Sequence, residues 1–147
     1  MSLFNVMNIA STGMSAESTR LNTTASNIAN ANTVSSSAGE TYRARYPVFA
    51  AEMQKALGGQ SANGSGSDVG QGVKVLGIVE SDKPLQIEYA PGNPLADENG
   101  YIYKPNVNIV EEMADMMSAS KAYETNVQIA DTTKRIFRRV LQLGQGQ

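Results

Sequence analysis

Two clusters of charge and one glycine-rich loop are the groupings in this chain whose residue types suggest chemistry. Glu111, Glu112 and Asp115 stand close enough in sequence to hold a divalent cation or to share a proton. Lys134, Arg135, Arg138 and Arg139 could meet a phosphate, and Gly64-Ser65-Gly66 could cradle one. Each grouping lacks the rest of its machinery. The acids have no aromatic wall, no His and no second set of carboxylates at matching spacing. No strand feeds the glycine loop, no Gly-Lys-Ser/Thr ends it and no helix follows it, so it is not a phosphate loop. The four cations sit at one tip rather than along a stripe, and a net charge of −2 is not the basic footprint that nucleic acid requires. The chain also has no His and no Cys. That removes thiol nucleophiles, His general bases, Ser-His-Asp triads, disulfides and nearly all zinc sites together. No catalytic, cofactor or metal site is expected, and the basic tip stays unassigned unless a partner supplies acids.

The charge clusters make better sense as the ends of a helix. Reading Ile109, Met113, Met116, Ser120, Tyr123, Val127, Ala130, Lys134, Phe137 and Leu141 gives alternating steps of four and three, and only Ser120 and Lys134 are polar. A stripe that narrow is a seam for another helix. Pro105 precedes it, and Asn108 with Glu111 three residues on fits a capping box. Acids in the first turns and bases in the last complement the helix dipole. From Asn108 to Leu141 the helix should reach roughly 50 Å. A compact domain of this length would be only about 30 Å across, so the helix overhangs any such body. Within the seam, Lys134 either snorkels to the edge or pairs with a carboxylate of a neighbouring subunit.

A second stripe opens the chain. Phe4, Met7, Ser11, Met14, Ser18, Leu21, Ala25 and Ile28 alternate steps of three and four, with Met7, Met14, Leu21 and Ile28 repeating every seven residues. Small Ser11, Ser18 and Ala25 would let a neighbouring helix come close. The remaining Asn, Ser and Thr are poor helix formers that prefer to bond their own backbone. This helix should be marginal alone. Aromatics are only 6% of the chain and there is no Trp, a thin allotment for a self-sufficient core, whereas seven Met suit adaptable helix packing.

Between the stripes the pattern changes. Residues 33–39 read as a Ser/Ala/Gly linker. Tyr42, Ala44, Tyr46 and Val48 alternate with polar residues as in a half-buried strand, and Pro47 assigns it to an edge. Residues 49–57 either extend this strand or form a short helix. Residues 58–72 hold six Gly and read as an exposed loop. Val73–Val79 and Leu85–Tyr89 read as a hairpin turned by Asp82-Lys83-Pro84. Pro91-Gly92-Asn93-Pro94 punctuates the chain, and Asn99-Gly100 turns it into a short extended Tyr101–Tyr103. The expected fold class is therefore α+β: two long terminal helices forming a coiled-coil-like layer, with a small inserted β module. The expected division is 1–32, 33–105 and 106–147. No stretch is apolar enough to span a bilayer, and the first residues lack the basic and apolar regions of a cleavable signal peptide.

Thr24-Ala25-Ser26-Asn27-Ile28-Ala29-Asn30-Ala31-Asn32-Thr33 resembles the N-terminal signature of the axial proteins of the bacterial flagellum. Ser26 departs from the usual Asn there. The block from Tyr89 to Met113, which contains Pro91, Gly92, Asn93, Pro94, Pro105 and Asn106, resembles one branch of that superfamily, the proximal rod proteins of the FlgC type. Ser118 to Asn126 continues the likeness. The resemblance implies a structural subunit of the basal-body rod, exported unfolded by the flagellar type III apparatus and assembled into a helical tube. It implies an inner layer made of both terminal helices, with the β module outside, in a shaft that crosses the periplasm. The implied partners are copies of itself, the other proximal and distal rod proteins, the rod–ring adaptor protein and the surrounding ring. No nucleic acid and no membrane insertion are implied. The assembly interface would be Phe4, Met7, Met14, Leu21, Ala25, Ile28, Ile109, Met113, Met116, Tyr123, Val127, Ala130, Phe137 and Leu141. The competing reading is a soluble helical adaptor or chaperone of a secretion system, which leaves the β insert without a purpose.

Overall fold

The computed structural model describes residues 3–52 and 72–144. Most of the glycine-rich loop and residues 53–57 lie outside that range. The element order is α1 (Leu3–Asn30), β1 (Arg45–Glu52), β2 (Gly72–Glu80), β3 (Gln86–Tyr89), β4 (Tyr101–Lys104) and α2 (Ile109–Gly144). The class is α+β, as the alternating periodicities predict. Both helices fall where the stripes place them. Asn108 caps α2, its Oδ1 accepting from the Val110 N–H at 3.1 Å while its carbonyl accepts from Glu112.

The two helices run antiparallel and pair within one chain, so the start of each meets the end of the other. Phe4 meets Phe137 edge to face, with ring centroids 5.7 Å apart. Gly13 lies against Asn126, and a Cβ on Gly13 would come within 2.9 Å of the Asn126 amide nitrogen. Further along, the Arg20 guanidinium pairs with Asp115 at 2.7 Å.

The β module is two separate two-stranded antiparallel sheets, and here the sequence reading needs correction. Val73–Val79 and Leu85–Tyr89 do not form a hairpin. Instead β2 pairs with β1 across the glycine-rich segment, from Arg45 opposite Glu80 to Glu52 opposite Gly72, and β3 pairs with β4. The reason is visible at residues 81–83. The Ser81 N–H donates to the Ala44 carbonyl, and the Ser81 and Lys83 carbonyls accept from Asn106. Backbone groups that a tight turn would use are thus committed to other segments. The first strand also starts later than its alternation suggests. Tyr42 and Ala44 precede it, while Phe49–Glu52 extend it past a bulge between Val48 and Phe49. Pro47 sits opposite Ile78 in a ribbon whose strands are both edges, which tolerates its missing N–H. Gly100 adopts φ 83° in the turn before β4, where Asp97 Oδ1 accepts from the Asn99 and Tyr101 N–H groups. A side chain would be strained in that conformation.

Candidate assembly interface

Residues on α1 divide among three faces. The face toward α2 carries small or polar groups, among them buried Ala10, Gly13, Thr24 and buried Asn27. Next to it, Thr12, Thr19, Thr23 and Ser26 turn toward the β1–β2 ribbon. Thr12 Oγ1 accepts weakly from the Val73 N–H at 3.3 Å, where a Cβ on Gly72 would collide with it. Thr19, Thr23 and Ser26 line a groove with Arg45 and Ile78. The third face is the stripe of large apolar residues. Its free end meets α2 directly, through Phe4 and Met7 beside Thr133 and Phe137. Phe4, Met7 and Ala25 are exposed, Phe4 at 69%, and Met14, Leu21 and Ile28 are half-buried.

The same displacement occurs on α2. Its buried positions are Glu112, Ala119 and Thr133, with half-buried Ala122 and Asn126 on the same line. The large apolar stripe lies on the flank of that line. Ile109, Met113, Tyr123, Val127, Phe137 and Leu141 are exposed, and Met116 and Ala130 half-buried. Because antiparallel helices turn in opposite senses when viewed from one end, the stripes of α1 and α2 fall on the same side of the pair. At the free end they meet: Leu3, Phe4 and Met7 share a cavity of about 130 Å³ with Thr133, Lys134 and Phe137. One side of the pair is thus covered by the β1–β2 ribbon and the opposite side is an open apolar face. Soluble monomers seldom expose so long a run of large apolar residues.

The motif residues sort into a different job. Asn27 is fully buried and makes three hydrogen bonds of 2.9 Å. Its Oδ1 accepts from the Arg45 N–H and the Tyr42 hydroxyl, and its Nδ2 donates to the Arg45 carbonyl. Asn106 accepts from the Ala44 N–H at 2.8 Å and donates to the Lys83 carbonyl at 2.8 Å. Consecutive residues at the start of β1 are therefore gripped by one Asn from α1 and one from the approach to α2. This joint fixes the β module to the helices. Pro105 is buried beside it. Asn30 bonds back to the Ser26 carbonyl, Ile28 is half-buried and Ala29 exposed. Pro91, Gly92 and Pro94 are exposed in the β3–β4 connection, where Asn93 Oδ1 accepts from the Leu95 N–H.

The acidic start of α2 is less solvated than its sequence suggests. Glu111 is exposed, but Glu112 is only 2% exposed and its Oε2 has no hydrogen-bond partner among the described residues. Tyr46 bonds to Glu112. Burial first, then the Glu112 charge and that bond, push the Tyr46 hydroxyl up to about 12. The helix N-terminus makes a buried carboxylate tolerable there. No cluster of metal-ligating residues occurs among the described residues.

The comparisons with known proteins cover both ends and then the whole. A family model for flagella basal body rod proteins matches residues 7–34, and one for the flagellar basal body rod FlgEFG protein C-terminal region matches residues 98–143. The flagellar basal-body rod protein FlgC of Salmonella typhimurium is 43% identical over 145 residues, covering 99% of this chain and 100% of that protein. Those of Borreliella burgdorferi and Buchnera aphidicola from Schizaphis graminum are 38% and 37% identical, again over 99% of this chain and 100% of the relative. This chain belongs to the FlgC family of flagellar rod proteins. The family models stop short of β1 and β2 and of the glycine-rich segment, and they include α1, β4 and most of α2. The matched residues include Asn27 and Asn106, the two sides of the joint.

Proposed function

We infer that the chain is a structural subunit of the flagellar basal-body rod and that it assembles through the open apolar side of its helix pair. The observation that carries this is the mismatch between the two helices' small, polar mutual contact and the large residues they leave uncovered. Close approach through Ala10, Gly13 and Ala119 lets α1 and α2 pair at little cost in side-chain volume. Met7, Met14, Leu21, Ile28, Met113, Met116, Val127 and Phe137 are then presented together for helices of neighbouring subunits. In this reading the neighbours are copies of the chain and other proximal and distal rod proteins. The rod–ring adaptor and surrounding ring lie beyond the β module. The division at 1–32, 33–105 and 106–147 separates an axial layer from an outer module. Delivery is by the flagellar type III export apparatus, without a cleavable signal peptide.

Assembly and final folding are coupled in this proposal. Ordering the backbone costs ~1–2 kcal/mol per residue, and a seam of small and polar side chains offsets little of it. Neighbours that bury the open face supply the remainder. Leu21→Asp and Val127→Asp place a charge on that face without touching the joint. Both should abolish swimming, with the chain missing from isolated basal bodies although it is still exported. Normal motility in both variants would defeat the assignment.

A further inference from the structure

The assembly face leaves the cationic end of α2 unused. Lys134, Arg135, Arg138 and Arg139 are exposed, and none makes an ion pair among the described residues. Asp131 is the one carboxylate between Ala130 and Gly144. Since Phe4 stands opposite Phe137, the last turns of α2 run about 10 Å beyond the first described turn of α1. Leu143, at 81% exposed, lies on this overhang. Beside it opens the 130 Å³ cavity between Phe4 and Phe137, a volume that takes one side chain of about leucine or methionine size.

The opposite end of the molecule has the complementary charge. From Glu80 to Asp115 there are eight carboxylates, against Lys83 and Lys104 from the same stretch and Arg20, Arg43 and Arg45 packed against it; Glu80, Glu88 and Asp115 are engaged by Arg45, Lys104 and Arg20, and Glu112 is buried. Asp82, Glu98 and Glu111 are exposed and form no ion pair among the described residues. Glu111 and Glu112 lie in the first turn of α2, where the helix dipole favours acids, whereas the bases lie between about one and three turns before its end at Gly144 and have no such partner in the helix itself.

We propose that the basic overhang of α2 docks onto the acidic helix-start end of the next rod subunit of the same fold, head to tail along the shaft. The idea rests on the rod-subunit reading above. An apolar cavity with Lys134 on its wall and three exposed arginines on the same helix end fits a protein surface that offers an apolar side chain among carboxylates. Four charges at a tip are too few to track a phosphate backbone. Contact between unlike patches is heterologous: it does not end at a two-fold dimer, and with the two patches at opposite ends of the subunit it propagates along an axis. Its ion pairs would set which neighbour is accepted and in what register, more than overall affinity.

The test replaces the chain in motile cells by an Arg138→Glu/Arg139→Glu variant and, separately, by Arg138→Lys/Arg139→Lys. Complete basal bodies are counted and the amount of exported chain is measured. The charge-reversed variant should be exported normally yet give at least about tenfold fewer complete rods, while the lysine variant matches the original. Adding Asp82→Lys/Glu111→Lys to the reversed chain reads the partner. Recovery identifies a copy of the chain. Recovery only by acid-to-lysine changes at the helix-start end of another rod subunit identifies that subunit. The proposal is overturned by normal rod numbers in the reversed variant, by an equal defect in the lysine variant, or by recovery through neither route. It is also overturned if the tip binds phosphatidylserine vesicles while rod assembly ignores the reversal. If the unaltered chain is absent from isolated basal bodies, the rod reading itself fails; if it is present and the reversed chain incorporates equally, only the docking fails.

Discussion

Asn27 is fully buried and ties α1 to the start of β1. Truncation to Ala would leave the Arg45 N–H and carbonyl and the Tyr42 hydroxyl without partners in a buried site, at about 1–3 kcal/mol for each group left unpaired. We expect Asn27→Ala to speed hydrogen exchange of the Arg45 amide about 100-fold or more in isolated basal bodies, with the amides of mid-α2 unchanged. Exchange rising equally along α2 would mean that the joint is only part of general stability. Tyr46 gives a pH dependence of known sign. Its folded-state pKa is raised from 10.0 to about 12, so the folded chain holds the phenolic proton more tightly than the unfolded one. The resulting stabilisation is complete below pH 10 and is lost as pH climbs from 10 toward 12. Tyr46→Phe should remove that alkaline loss, read from denaturation midpoints between pH 9 and 12. An unchanged alkaline slope would show that Tyr46 is not its source. Neither role could be read from sequence. An Asn in a motif and a Tyr in an alternating run have many ordinary explanations, and these contacts join residues 15 or more positions apart.

The helices were legible because their signal is local. A steady three–four stepping, a cap at Asn108 and acids in the first turn all lie within one element, and α1 and α2 appear where those signals place them, although α2 runs past the expected basic end to Gly144. Their mutual orientation was not legible. Large apolar residues suggest a seam, yet α1 and α2 meet through the smaller residues alongside, since close approach at Gly13 is possible only there. The glycine was itself the available sign, because Gly inside a helical pattern often marks a near neighbour. Gly13→Ala should be absorbed by a shift of the Asn126 side chain, whereas Gly13→Leu should force the helices apart. Cysteine cross-linking between α1 and α2 in the assembled rod would report the difference, and equal cross-linking in both variants would contradict the close-approach account. The hairpin expected between β2 and β3 failed for the converse reason. Strand pairing is chosen by whichever distant segment satisfies the backbone, and Ala44 and Asn106 take up the Ser81 and Lys83 backbone groups.

At the scale of the whole molecule, the chain is a helix pair with one covered and one open side, joined to two small sheets. We expect the dilute purified chain to show clearly less helix by circular dichroism than the 28 and 36 residues of α1 and α2 require. Full helix content in dilute solution would reject coupled folding. The sequence by itself determined the class, the two long helices and, through residues 24–33 and 89–113, the family. Those properties follow from periodicity, composition and local motif, which need no knowledge of what lies across space. Only the tertiary structure decided that α1 and α2 pair through small residues, that β1 takes β2 across the glycine-rich segment, and that Asn27 and Asn106 grip successive residues, Arg45 and Ala44, where β1 begins. Each of those is a choice among distant partners, settled by which backbone groups and which side-chain volumes can be satisfied together.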